Sequence, residues 1–144
     1  MKVEEFLEAY GDRNITATHR VSFEITKDRY LTRRGDCIIG IRASKSALDL
    51  SEEFKALARR EGSVIRVELE VEGVKELASG LGSPGLAFTH PRDMVFRRSR
   101  YTCGRTVMVS SDKASIDLSR RMVEMLRDPR RRMQILISVE ARSP

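Results

Sequence analysis

The two histidines of this chain are the first candidates for chemistry. His19 lies on the apolar face of an alternating segment, and the sequence around His90 repeats that arrangement. An imidazole titrates near neutral pH and can also bind a metal. If the fold brings the two rings together, they can bind a ligand with Asp36 or Asp112. The alternative is that each is a hydrogen-bonded histidine inside the fold. Without a fixed ligand spacing, we predict no metal and no cofactor.

Two lysines precede predicted helices in similar sequence contexts. Lys45 lies in ASKSALDLS and Lys113 lies in SSDKASIDLS. Backbone N–H groups at a helix start, together with a lysine and nearby hydroxyls, can hold a phosphate or a carboxylate. The alternative is a capped helix start beside a solvated lysine. The predicted ligand-binding set is therefore His19, Asp36, Lys45, His90, Asp112 and Lys113.

Arginines outnumber lysines and occur in clusters. The clusters are Arg33-Arg34, Arg97-Arg98 with Arg100, and Arg130-Arg131-Arg132. With a formal net charge of +6, the last two clusters are the predicted nucleic-acid contacts, because arginines bind phosphates. Tyr30, Phe96 and Tyr101 lie near them and can stack on bases. The alternative is surface arginine that stabilises a heat-adapted protein.

The two cysteines do not form a recognisable reactive site. Cys37 and Cys103 fit no zinc spacing and have no histidine beside them. They are either free thiols or a disulfide. The disulfide remains open because equivalent turns of a two-fold fold can approach each other.

These residues occur in pairs because the chain is similar to itself. Val3–Phe6 aligns with Val74–Leu77, His19 with His90, and Lys45 with Lys113, in the same order along the chain. Residues that this internal alignment pairs are called matched residues below. We predict a duplication, with repeats at residues 3–72 and 74–141 of a single domain covering residues 1–144.

Each repeat is predicted to be a β-β-α-β unit. Strict alternation predicts a strand over residues 15–25, with Glu24 on its polar face. Further strands and helices follow from the same patterns: strands 37–43, 65–71, 86–97, 105–110 and 133–140, and helices 50–61 and 118–127. The opening residues 3–10 fit a helix or a short strand. The predicted class is α+β, mostly β, with both repeats sharing one core in a closed or partly closed pseudo-two-fold barrel of the cradle-loop kind.

Composition excludes several classes of protein. The 144 residues are 40% hydrophobic and 33% charged, which excludes a disordered chain. No apolar run is long enough to cross a membrane, and the N-terminus is too acidic for a signal peptide, so we expect a cytoplasmic protein without membrane partners. Asn14 and Gln134 are the only side-chain amides, a depletion typical of heat-adapted proteins.

Three stretches carry a family resemblance. They are ITATHRVSFEITKD (15–28), LTRRGDCIIGI (31–41) and the RRSRY…RTVMVSSDKASIDL run (97–118). In these stretches the chain resembles an archaeal family known as domain of unknown function family 371. It departs at residues 11–14, where the family pattern has His-Pro after the glycine. The resemblance implies an archaeal, heat-adapted protein and no particular activity.

Two functional hypotheses remain. The first is a non-catalytic module that binds an anionic partner, either RNA or a phosphorylated small molecule. The second is a small-molecule enzyme whose site lies at the pseudo-two-fold cleft. The sequence favours the first and leaves the oligomeric state open.

Overall fold

The structure is a computed structural model that describes residues 1–32 and 34–142. Arg33 of the first arginine cluster lies outside the described residues. The chain is mostly β with two helices, as the sequence predicts for the α+β class. The elements in chain order are β1 (Lys2–Tyr10), β2 (Ser22–Thr26), β3 (Ile38–Gly40), α1 (Glu52–Ala58), β4 (Val64–Val71), β5 (Val74–Leu81), β6 (Asp93–Arg97), β7 (Thr106–Met108), α2 (Arg120–Leu126) and β8 (Arg132–Glu140).

The strands form two four-stranded sheets. The first sheet has the order β1-β8-β4-β5 and is antiparallel throughout. The second has the order β3-β2-β6-β7, with β2 and β6 antiparallel and each flanked by a parallel strand. Neither sheet is closed into a barrel over residues 1–32 and 34–142, so the barrel prediction is corrected to two sheets. Single bridges join the sheet edges, at Tyr10 with Ile41 and at Leu81 with Val109.

The same element order occurs in both halves of the chain. Three strands, an α-helix and a strand run from β1 to β4, and the same series runs from β5 to β8, where a 3₁₀-helix (Ser115–Asp117) precedes α2. Each half therefore has one strand more than the predicted β-β-α-β unit. The additional strand is the opening one of each half, β1 or β5.

The opening segment is a strand, and the helix considered for it is wrong. Alternation along β1 buries Leu7 and Ala9 and leaves Phe6 65% exposed. The helical spacing of Phe6 with its neighbours misled the prediction, because β1 pairs with β8 along all nine of its residues. Long-range pairing of this kind overrides a short periodic pattern.

The predicted strands 15–25 and 86–97 are shorter in the structure. Their first parts leave the extended conformation at two matched residues, Ala17 with φ +49° and Phe88 with φ +52°. A positive φ is uncommon for residues other than glycine and bends the chain. Regular pairing therefore starts only at Ser22 and Asp93.

The helices begin at serine caps and bury one apolar face. Ser51 and Ser119 accept hydrogen bonds from the N–H groups of Phe54 and Met122, which satisfies otherwise free donors. Phe54 of α1 packs edge-on against Phe88, with ring centroids 6.2 Å apart. Neither described helix is long and apolar enough to span a membrane.

Candidate functional site

The histidines close two similar turns. Nδ1 of His19 accepts a hydrogen bond from the N–H of Ser22 at 3.1 Å, and Nδ1 of His90 accepts one from Asp93 at 2.9 Å. Because Nδ1 accepts in both turns, the neutral rings carry their proton on Nε2. Each imidazole thus positions the start of a central strand, β2 or β6.

Lys45 and Lys113 hold carboxylates that belong to the chain. Nζ of Lys45 lies 2.8 Å from Oε2 of Glu5, whose other oxygen accepts the N–H of Ser51 at 2.6 Å. The second half repeats the contact, with Lys113 2.7 Å from Glu76 and the N–H of Ser119 bonded to the same carboxylate. At both predicted anion cradles, the lysine and the N–H at the helix start therefore bind a glutamate of the chain itself.

The environment keeps these glutamates ionised. Burial raises the pKa of Glu5, but hydrogen bonds from Lys45 and from the Ser51 N–H outweigh it, so the pKa lies below its usual value. The same groups in the second half lower the pKa of Glu76. Sequence reasoning missed both glutamates, although they are matched residues and identical in the internal alignment.

The two aspartates lie in different settings. The backbone carbonyl of Asp36 accepts the N–H of Thr18 at 3.0 Å and the hydroxyl of Ser115 at 3.2 Å. Asp112 uses its carboxylate to accept the N–H of Ser79 at 2.9 Å. Both aspartates hold loops against neighbouring segments. No group of three or more histidine, cysteine or acidic residues in the described part of the chain can hold a metal ion.

Most of the predicted nucleic-acid arginines are ion-paired on the surface. The pairs are Arg98 with Asp117, Arg130 with Asp128, Arg131 with Glu72 and Asp128, and Arg132 with Glu8. Exposed pairs of this kind contribute roughly 0–1 kcal/mol, so a phosphate can compete for the guanidinium groups. Arg97 instead donates to the hydroxyl of Thr106 at 2.9 Å and to Sγ of Cys103 at 3.5 Å.

Two exposed arginine–tyrosine pairs stand out on the loops after β2 and β6. Tyr30 is 86% exposed and Tyr101 is 62% exposed. They are matched residues, and each directly follows an exposed arginine, Arg29 or Arg100. Neither arginine has a carboxylate within ion-pair distance among the described residues. We call Arg29-Tyr30 and Arg100-Tyr101 the Arg–Tyr pairs.

A buried polar cluster lies on the face of the second sheet that points away from the core. Glu24 and Asp93 are 8% and 7% exposed, and one guanidinium nitrogen of Arg105 lies 3.9 Å from the first carboxylate and 3.3 Å from the second. Burial, together with the negative charge of Asp93, raises the pKa of Glu24 to about 7. The alternating pattern placed Glu24 on a polar face, and nothing local showed that this face is covered.

The cysteines are free and differ strongly in acidity. Burial and the nearby carboxylates of Glu24 and Asp36 raise the pKa of Cys37 to about 12. Burial also raises that of Cys103, but hydrogen bonds from the backbone of Arg105, from Thr106 and from Arg97 bring its pKa down to about 7. Cys103 is therefore the more nucleophilic thiol at neutral pH.

Most of both halves, the cradle of Lys113 and Glu76, and the polar cluster fall within a single region of family similarity. Residues 7–140 match the family described as Domain of unknown function (DUF371). The chain belongs to this family. It is also 46% identical over 126 residues to an uncharacterized protein of Methanocaldococcus jannaschii, covering 88% of this chain and 93% of that protein. The family resemblance stated from the sequence is confirmed, and an archaeal relative accompanies it.

Proposed function

We propose that this member of the DUF371 family is a non-catalytic binding module for an anionic partner, and that the partner is single-stranded RNA. The observation that carries the proposal is the presence of an exposed Arg–Tyr pair at matched positions of the two halves. One such pair is an ordinary surface feature. Two at matched positions give a repeated contact of the same chemistry.

Each Arg–Tyr pair contains the two groups that single-stranded nucleic acids require. A tyrosine ring can stack on any base and contributes roughly 1–3 kcal/mol per base. The adjacent arginine supplies a positive charge for the phosphate backbone. The guanidinium of Arg97 packs on one face of the Tyr101 ring, 4.9 Å from its centroid, and this cation–π contact holds the ring in place.

The positive charge of the chain supports the same partner. The chain has a formal net charge of +6, and the exposed ion pairs of Arg98, Arg130, Arg131 and Arg132 can exchange their carboxylates for phosphates at small cost. By contrast, Lys45 and Lys113 are committed to the glutamates of the cradles. We therefore place the anion contacts on the arginines.

Fluorescence anisotropy with a short labelled oligouridine tests this function. We expect the Tyr30→Ala/Tyr101→Ala double variant to bind at least about tenfold more weakly than the unmodified protein. Phe6→Ala is the control variant, since it removes an exposed aromatic ring from the other sheet. Equal affinity of the double variant and the control, or no binding by the unmodified protein at low salt, contradicts the proposal.

A second candidate function is a small-molecule enzyme at the polar cluster. The observation that favours it is the position of Arg105, whose guanidinium lies near the carboxylates of Glu24 and Asp93. Its backbone hydrogen-bonds the thiol of Cys103, whose pKa is about 7. A carboxylic acid and a thiol that titrate near neutral pH are suited to proton transfer and nucleophilic attack. In this candidate, the enzyme site is formed by the polar cluster and not by the histidines and lysines that the sequence predicted.

We also propose that the two halves arose by duplication in a heat-adapted, cytoplasmic protein. The repeated element order, the two lysine–glutamate cradles and the two Arg–Tyr pairs support the duplication. Free cysteines are typical of a reducing compartment. A thermal unfolding midpoint above about 90 °C supports heat adaptation; a midpoint in the ordinary mesophilic range contradicts it.

A further inference from the structure

A groove between α2 and the segment before β2 has a chemistry distinct from that of the Arg–Tyr pairs. Its volume is about 440 Å³, and its lining includes Arg13, Thr16, Arg120 and Arg127. Glu124 is the acidic side chain among the lining residues. The volume lies within the range of small-molecule sites, roughly 300–1,000 Å³. We call this feature the α2 groove.

Thr16 forms part of the wall of the α2 groove, but its hydroxyl has no surface open to the groove. The Oγ1 atom is buried and has no hydrogen-bond partner among the described residues. The anion contacts of the groove therefore come from its arginines.

Two of the three arginines that line the α2 groove have no carboxylate partner among the described residues. The guanidinium of Arg120 donates to backbone carbonyls, including those of Ala17 at 3.2 Å and Leu118 at 2.9 Å. These neutral acceptors fix its position without cancelling its charge. Arg13 is exposed and has no carboxylate within ion-pair distance in the described ranges. The groove is thus lined by cations and is suited to an anion.

In the other half of the chain, the space beside α1 that corresponds to the α2 groove is filled by the side chain of Arg59. Arg59 donates to the carbonyl of Leu86 at 2.8 Å and to that of Ala87 at 3.2 Å, and it lies over the ring of Phe88. Ala87 is matched to Thr16. One half therefore closes this gap with an arginine.

At α2 the matched arginine does not close the gap. Arg127 corresponds to Arg59, but its guanidinium lies 3.8 Å from Glu124 on its own helix. The residue matched to Glu124 on α1 is Ala56, which offers Arg59 no such partner. Ala17 also replaces the large ring of Phe88. These differences leave the α2 groove open.

We propose that the α2 groove binds a small phosphorylated organic molecule, with its phosphate held by Arg13 and Arg127. The cavity is larger than a phosphate needs, so the ligand carries an organic part beside it. This site is independent of the Arg–Tyr pairs, because its residues lie on other segments.

Isothermal titration calorimetry with ribose 5-phosphate tests the proposal, with ribose and inorganic phosphate titrated beside it. We expect Arg127→Gln and Arg13→Gln each to raise the dissociation constant about tenfold. Arg121→Gln is the matched control, because it removes a neighbouring exposed charge of α2 outside the groove, and we expect it to bind as the unmodified protein does. Arg127→Gln should melt at the same temperature as Arg121→Gln, since the ion pair that it loses is exposed, so weaker binding cannot come from unfolding.

The proposal is overturned if millimolar ribose 5-phosphate gives no saturable heat, or if Arg127→Gln binds it as tightly as Arg121→Gln does. It is also overturned if inorganic phosphate binds as well as ribose 5-phosphate, since the groove is then a general anion site only. Oligouridine binding separates this site from the proposed RNA function. Arg127→Gln should leave it unchanged, and displacement of ribose 5-phosphate by oligouridine contradicts a separate site.

Discussion

Lys113 and Glu76 form an ion pair 2.7 Å long that ties β5 to the segment before α2. Only 13% of the glutamate side chain is exposed, and its other oxygen accepts the N–H of the helix cap Ser119. The pair therefore fixes the start of a helix from a neighbouring strand. Lys45 and Glu5 do the same for α1.

Lys113→Met should destabilise the fold by roughly 2 kcal/mol at pH 7, because it leaves a largely buried carboxylate without its counter-charge. Urea unfolding measures this free energy. Glu76→Gln/Lys113→Met is the control, since it removes both charges and should recover part of the loss. No difference between the single variant and the unmodified protein contradicts a stabilising role of the pair.

The Lys113–Glu76 pair should make the free energy of unfolding depend on pH. The pKa of Glu76 is lowered in the folded state, so the unfolded state binds more protons as the pH falls. The stabilisation is present above the ordinary glutamate pKa of 4.5 and is lost as the pH falls through the folded value. Between pH 7 and pH 3, urea unfolding should show a smaller loss of unfolding free energy for Glu76→Gln/Lys113→Met than for the unmodified protein.

Glu24 should make the free energy of unfolding depend on pH in the opposite direction. Burial raises the folded pKa of Glu24 from 4.5 to about 7, so the folded state binds the extra proton. Glu24 makes its full contribution to the free energy of unfolding below pH 4.5. This contribution, on the order of 3 kcal/mol, is lost as the pH rises to about 7. Glu24→Gln should remove this loss and be more stable than the unmodified protein at pH 8, as measured by urea unfolding.

Exposed Glu61 provides the control for that experiment. Glu61→Gln removes one carboxylate far less buried than Glu24 and should follow the pH profile of the unmodified protein. If Glu24→Gln also follows that profile, the carboxylate of Glu24 does not carry a raised pKa.

Cys103 should react with iodoacetamide well before Cys37. The pKa values of about 7 and about 12 predict half-maximal alkylation of Cys103 near neutral pH, while Cys37 stays unmodified up to about pH 10. Mass spectrometry of the alkylated peptides across a pH series measures both sites. Arg97→Gln should move the Cys103 midpoint to higher pH, because the guanidinium donates to its sulfur. Equal rates at both cysteines contradict the difference in acidity.

The sequence predicts the fold best where a pattern is long and local. Strict alternation predicts strands 65–71 and 133–140, which are β4 and β8 in the structure. The helix considered for residues 3–10 was wrong because pairing with β8 decides that segment. Local periodicity carries no information about such a distant partner.

The candidate site was predictable only in part. The lysines at the helix starts were recognised, but their partners Glu5 and Glu76 come from strands far away along the chain. Glu24 shows the same limit, because its burial depends on residues such as Cys37 and Arg105 that reach it from other segments. The internal alignment was the one long-range signal available, and it pairs both glutamates and both tyrosines.

The arginines of the Arg–Tyr pairs should control the salt dependence of RNA binding. Each phosphate contact with a single strand contributes about 0.7 to the slope of log affinity against log salt concentration. Arg29→Gln/Arg100→Gln should therefore reduce that slope by about 1.4. Tyr30→Ala/Tyr101→Ala should lower affinity at every salt concentration with the slope unchanged, because stacking releases no counterions. Anisotropy titrations with oligouridine over a salt series measure both quantities, and Arg121→Gln controls for the loss of net charge. If the arginine variant keeps the full slope, these arginines do not contact phosphates, and the RNA contacts lie elsewhere on the surface.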